Sequence, residues 1–176
     1  RGFSLALIGM LAWIPFLIAD LGNLFGGGAS SLLLRKGWSV DRARKVVMLG
    51  SATLAPIGVT LLVFSSTDAL ALVGISLIAF GFQSWIVNVI TLPSDCFPKE
   101  DVGAVAGIGG TAAGVASMVF TLLVGWVVDN FSYTPVYIMV GFMGPMGALA
   151  WLAVMRRIEK VPAYVAPRVA RGGAAA

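Results

Sequence analysis

The sequence has no histidine and a single cysteine, Cys96, among 176 residues. An intrachain disulfide is excluded, as are imidazole–thiolate metal sites and histidine-based catalytic triads. Charge is also scarce. Only 11% of the residues are Asp, Glu, Lys or Arg, against roughly 25% in a soluble globular domain. With 59% hydrophobic residues and a mean hydropathy of +0.95, the chain reads as a membrane protein. The formal charge of +4 does not point to nucleic acid. The basic residues collect at the ends of apolar runs and form no stripe that could track phosphates.

What is present is a series of long apolar runs. A helix crossing a hydrocarbon core of about 30 Å needs roughly 20 mainly apolar residues. Five segments meet that test, at 7–34, 46–65, 69–92, 102–128 and 135–155. Helices are expected because an open sheet edge cannot be satisfied in lipid, and transmembrane strands would run only about 9–11 residues. The expected fold class is therefore all-α and integral to the membrane, with one helical bundle over 1–160. The Pro/Gly/Ala-rich segment 161–176 is expected to be a disordered cytoplasmic tail.

The connecting segments alternate in charge. RKGWSVDRARK, between spans one and two, carries Arg35, Lys36, Arg42, Arg44 and Lys45. SSTDA and DNFSY, after spans two and four, carry no basic residue. PSDCFPKED, after span three, carries Lys99, and Arg156, Arg157, Lys160, Arg168 and Arg171 follow span five. The positive-inside rule puts every basic residue except Arg1 on the cytoplasmic side, giving an external start and a cytoplasmic end. A start at Arg1 and an odd number of spans lead to the expectation of a longer parent protein with a sixth helix before Arg1.

The spans differ in polarity. Spans two and five carry no charged or amide side chain and are expected to turn much of their surface to lipid. Span one holds Asp20 and Asn23, and Asp20 is the only ionisable residue between Leu5 and Leu34. It lies about 21 Å from the end of its span. Charge at the bilayer centre costs about 2.5–3.5 kcal/mol on insertion scales, so Asp20 must face protein or a water-filled cavity. It is a candidate for proton coupling or gating, with Asn23 one turn away, or else a buried polar tie.

Span three carries Gln83, Ser84, Asn88 and Thr91, followed by Asp95. Spacings of four, three and four put Ser84, Asn88, Thr91 and Asp95 on one stripe. Gln83 and Asn88 are read either as cavity liners or as interhelical hydrogen-bonding groups. Trp85, about 60° from Asn88 around the helix, can wall the same pocket. Span four opens with Gly103, Gly107, Gly110 and Gly114. Two Gly-x-x-x-Gly spacings there point to close helix packing or to helices that slide. Pro15, Pro56, Pro93 and Pro145 are candidate kinks or ends.

These features together resemble the C-terminal half of a major facilitator superfamily transporter that lacks its first helix. The five spans correspond to helices 8–12 of that twelve-helix fold. AWIPFLIADLGNLFGG, RKGWSVDRARK and SDCFPKEDVGAVAGIGG are similar to segments of its anion:cation symporter family, especially bacterial hexuronate and aldarate transporters. The resemblance implies proton-coupled uptake of a sugar acid by alternating access, at a midplane site between two halves that rock about it. It implies that spans one, three and four line the cavity while two and five are peripheral. The carboxylate-holding cations would lie in the missing N-terminal half, the partner this chain requires. With no buried cation in its spans, the chain would offer the small organic anion neutral contacts from Gln83, Trp85, Asn88 and Thr111. Many relatives have an acid after the serine where this chain has Ser30-Ser31. That acid would pair with the basic loop as a cytoplasmic gate, so Asp95 or Asp41 is expected to substitute.

Other functions fit less well. A channel needs a ring of carbonyls or charges, and no filter-like loop is present. An enzyme needs a convergent acid–base or metal set, and Asp20 stands alone. No cofactor or metal is called for. A carrier of another carboxylate, or a structural membrane subunit, remains as the alternative.

Overall fold

The computed structural model describes residues 9–155 and 158–160. Five helical spans are long and apolar enough to cross a membrane, at Gly9–Arg35, Val40–Phe64, Asp68–Cys96, Lys99–Asn130 and Tyr133–Val154. No strand occurs among the described residues. The helices are α1 (Trp13–Arg35), α2 (Val40–Ala52), α3 (Leu54–Phe64), α4 (Asp68–Cys96), α5 (Lys99–Asn130) and α6 (Tyr133–Val154). The tail expected to be disordered, 161–176, lies outside the described residues.

The turn after α1 shows how local chemistry fixes the boundaries. Gly37 has φ +86°, a region glycine enters at no Cβ cost. Trp38 N–H reaches Leu33 O at 3.1 Å and Gly37 N–H reaches Leu34 O at 3.0 Å, which satisfies carbonyls left over at the helix end. Ser39 then caps α2, its Oγ accepting from Arg42 N–H at 3.4 Å. Asp41 sits in the first turn, where a negative charge suits the helix dipole. Arg42, Arg44 and Lys45, read from sequence as loop residues, therefore lie on a helix. At the other end of this span the helix breaks at Thr53. Pro56 cannot donate to the carbonyl of Ala52, which accounts for the break. Pro93 and Pro145 stay inside α4 and α6, so Pro93 is not a helix end and Asp95 belongs to α4.

Packing centres on α4, which lies against α1 along one side and α2 and α3 along another, with α6 beyond α3. Glycine permits the two closest approaches. A Cβ on Gly22 would strike the backbone of Phe80, and one on Gly26 would lie 2.7 Å from Ser84 Cα. Across the other seam Gly58 and Gly74 face each other's carbonyls. The Gly-x-x-x-Gly spacing in α1 is thus used, and α1 and α4 run parallel through it.

Two spans stand apart in how they are packed. Span two, expected to turn much of its surface to lipid, is the most packed of the five, with 39% of its most apolar window buried and the greater part of it left open on this chain. Composition alone could not reveal this, because a lipid tail and a protein interior are equally apolar neighbours. Span four is the least packed, at 6%. A Cβ on Gly103, Gly107, Gly110 or Gly114 would meet nothing within 4 Å, so this stripe packs on no described helix.

Candidate functional site

One face of α2 carries a stripe at Arg44, Val47, Met48 and Ser51, all buried. The spacing of three, four and seven puts them on one helix face, so Arg44 points inward with the apolar residues. It is 8% exposed. Its Nε donates to Asp95 Oδ2 at 2.9 Å, and its Nη1 donates to Ser30 Oγ at 2.9 Å and to Asn88 Oδ1 at 3.0 Å. One guanidinium thereby joins α1, α2 and α4. A buried cation requires pairing of this kind, since an unpaired charge out of water is expensive.

The α4 stripe supplies the other side. Asn88 is fully buried, and its Nδ2 donates to Gly26 O at 3.2 Å and to Ser84 O at 2.9 Å. One turn further from Asp95, Ser51 Oγ and Ser84 Oγ are 2.8 Å apart, and Ser51 Oγ lies 2.7 Å from Val47 O, so that Ser51 donates to the carbonyl and accepts from Ser84. Ser30 Oγ is within 3.0 Å of Gly26 O and 3.1 Å of Gly27 O. Gly26 matters twice here. Lacking a side chain, it lets α4 approach, and its bare carbonyl is then within reach of the Asn88 amide. Of the two readings of Asn88, the geometry gives the interhelical one, and no polar atom of Asn88 is left to face a cavity.

A second polar group lies along the same seam. A Cβ on Gly27 would meet Val87 Cγ2 at 3.9 Å. One turn back on each parallel helix are Asn23 and Gln83, both half-buried. Asp20, exposed on α1, stands a further turn along. Trp85 is half-buried, and its indole N–H is enclosed without a hydrogen-bond partner among the described residues. Thr111 is exposed on α5, where it bonds back to Gly107 O at 2.9 Å. It shares a shallow apolar recess with Gly103, Gly107 and Ile108. No described group of three or more Cys, Asp or Glu could hold a metal ion.

The basic motif divides in the structure. Arg44 is buried in the network. Lys45 pairs with Asp41 at 2.6 Å, while Arg35, Lys36 and Arg42 are exposed. Ser31 is exposed, whereas Ser30 is fully buried against Arg44. Ser30 and Ser51 belong to the site although residue type alone does not mark them. The signal was available in the helical spacing of Arg44 with Val47, Met48 and Ser51. The dense charge of the segment, typical of a loop, masks it.

Comparison with known proteins agrees with this architecture. The chain is 32% identical to the hexuronate transporter of Escherichia coli (strain K12) over 156 residues, 88% of this chain and 36% of that protein. It is 29% identical to the probable galactarate/D-glucarate transporter GarP of the same organism, over 92% of this chain and 36% of that one. It is 23% identical to the D-galactonate transporter of Escherichia coli O6:H1, over 92% and 37%. The chain thus spans little more than a third of the length of these relatives. The family signature of the Major Facilitator Superfamily matches residues 1–174, and the chain belongs to that superfamily.

Proposed function

We propose that this chain forms most of one half of a membrane transporter that takes up a sugar acid, a hexuronate or aldarate, by alternating access coupled to protons. The observation that carries the reading is the alignment of about nine-tenths of the chain with proteins named as transporters of hexuronate and of galactarate/D-glucarate. In this reading the basic end is cytoplasmic, and the uncovered face of α5 meets the remainder of the protein. Asn23 and Gln83 offer neutral hydrogen bonds to the substrate at the α1–α4 seam, with Trp85 and Thr111 contributing from α4 and α5. Asp20 carries the coupled proton. A charged Asp20 repels the substrate carboxylate, and protonation removes that repulsion, so anion and proton enter together. The Arg44 network is assigned a separate role, holding the cytoplasmic ends of α1, α2 and α4 as one unit while the halves rock.

The test is uptake of labelled glucuronate, galacturonate and glucarate by the full-length protein in vesicles with an imposed pH gradient. Uptake of at least one, enhanced by an inward proton gradient, is expected. No uptake of any of the three, with or without the gradient, sinks the substrate assignment. Asp20→Asn is expected to abolish gradient-driven accumulation. Accumulation equal to that of the wild type would leave Asp20 a structural residue.

A further inference from the structure

Arg44 touches α4 on both sides of a proline. Its Nη1 donates to Asn88 Oδ1 at 3.0 Å and its Nε to Asp95 Oδ2 at 2.9 Å. Asn88 and Asp95 lie about two helical turns apart, and Pro93 sits between them inside α4. Pro93 has no N–H to give the carbonyl of Val89, and its ring crowds that carbonyl. Sharp kinks in helices gather at such positions. Around the helix Pro93 stands about 140° from Asn88 and about 160° from Asp95. A bend that relieves the crowded carbonyl opens the proline side and tips the last turn toward the opposite face, which Arg44 occupies. Leu92 and Cys96 also straddle Pro93, within an apolar cluster that includes Ile158. Apolar contacts have no direction and let surfaces slide, whereas hydrogen bonds to an ionised group set both distance and angle.

The helix that hangs on this last turn is α5. Phe97 N–H closes the turn on Pro93 O at 2.9 Å, and Phe97 and Pro98 alone separate α4 from α5. The ring of Pro98 fixes its φ. The residue before a proline is confined to extended backbone, as Phe97 is at φ −111° and ψ 155°. The direction of the last turn is thus passed to α5 through a stiff joint. α5 has 32 residues and is about 48 Å long. Only 6% of its most apolar window is buried among the described residues. A tilt of about 10° at the base of such a rod moves its far end by about 8 Å.

We propose that Arg44 is a splint across Pro93, holding the last turn of α4 in line and thereby setting the angle of α5. It acts as a positioning residue, through Asn88 and Asp95, and meets no ligand. The splint is independent of the substrate and coupling ion assigned above.

The experiment is a distance measurement by double electron–electron resonance on the full-length protein in lipid nanodiscs. Spin labels are placed at Ser66→Cys and Asn130→Cys, with Cys96→Ala and no other cysteine. Both labelled positions are exposed, at the ends of α3 and α5 away from Arg44. One narrow distribution is expected with Arg44 and Asp95 in place. Arg44→Met combined with Asp95→Leu, which leaves no unpaired charge, is expected to broaden it or to move its mean by roughly 5 Å or more, a tilt of several degrees over α5. Adding Pro93→Ala is expected to restore the narrow distribution, because a helix that regains its bond to Val89 needs no splint. An unchanged distribution in Arg44→Met/Asp95→Leu, or a change that Pro93→Ala does not reverse, overturns the proposal. Should Arg44→Met/Asp95→Leu fail to fold, the variant that also carries Pro93→Ala decides. It is expected to fold with the narrow distribution, and its failure to fold overturns the splint. The readout involves no transport, so failure of the splint is distinguishable from failure of the proposed function.

Discussion

Arg44 reaches Asp95 across 51 positions of sequence, Nε to Oδ2 at 2.9 Å. Their side chains are 10% and 20% exposed, so the pair is largely withdrawn from water. Withdrawal makes each partner dependent on the other, because removing one leaves the second charge buried and uncompensated.

Asp95→Ala is therefore expected to destabilise the full-length protein by about 3–5 kcal/mol. This would be read as a lowered midpoint of thermal unfolding in detergent. Arg44→Met combined with Asp95→Leu is expected to recover part of the loss, since no unpaired charge then remains. A double variant less stable than either single one would contradict this account.

Ser31→Asp is expected not to rescue Asp95→Ala. Ser31 is exposed while its neighbour Ser30 holds the contact with Arg44, so an acid at 31 projects away from the guanidinium. Recovery of the unfolding midpoint in the double variant would show that the side chain at 31 can turn inward.

Asn88→Leu and Gln83→Leu should behave differently. The first leaves one N–H of Arg44 Nη1 without its acceptor, at about 1–3 kcal/mol for a buried group left unsatisfied, while the carbonyl of Gly26 keeps its contact with Ser30 Oγ. The second is expected to change stability little and to reduce sugar-acid uptake by the full-length protein at least tenfold. Parallel melting and uptake measurements separate the two roles.

Gly26→Ala is expected to lower the unfolding midpoint markedly, because the added Cβ would lie 2.7 Å from Ser84 Cα and α1 and α4 must separate. Gly107→Ala meets nothing within 4 Å. In this 176-residue chain expressed alone, it is expected to leave helix content and unfolding unchanged. A defect that appears only in the full-length protein would locate a packing partner for α5 beyond this chain.

Much of this protein was legible in its sequence. Scarce charge, runs of about 20 apolar residues and the Gly22–Gly26 spacing gave the five spans and one of their seams. Those signals are local, or repeat with the helix period, and need no knowledge of neighbours. The stripe from Ser84 to Asp95 was visible for the same reason. What lay across from it was not. A helical stripe predicts a shared face, but only the tertiary structure shows that Asn88 faces Gly26 and Arg44 with no cavity between them. Ser39 and Asp41 start α2 inside a segment whose charge reads as loop, which placed Arg44 outside the bundle until packing drew it in. The exposure of the Gly103–Gly114 stripe and the burial of span two were likewise decided by neighbours, because apolar surface carries no mark of whether lipid or protein will cover it. Residue order was enough to mark the segments that are long and apolar enough to cross a membrane. Tertiary packing decided which polar groups tie the helices together and which remain free to meet a ligand.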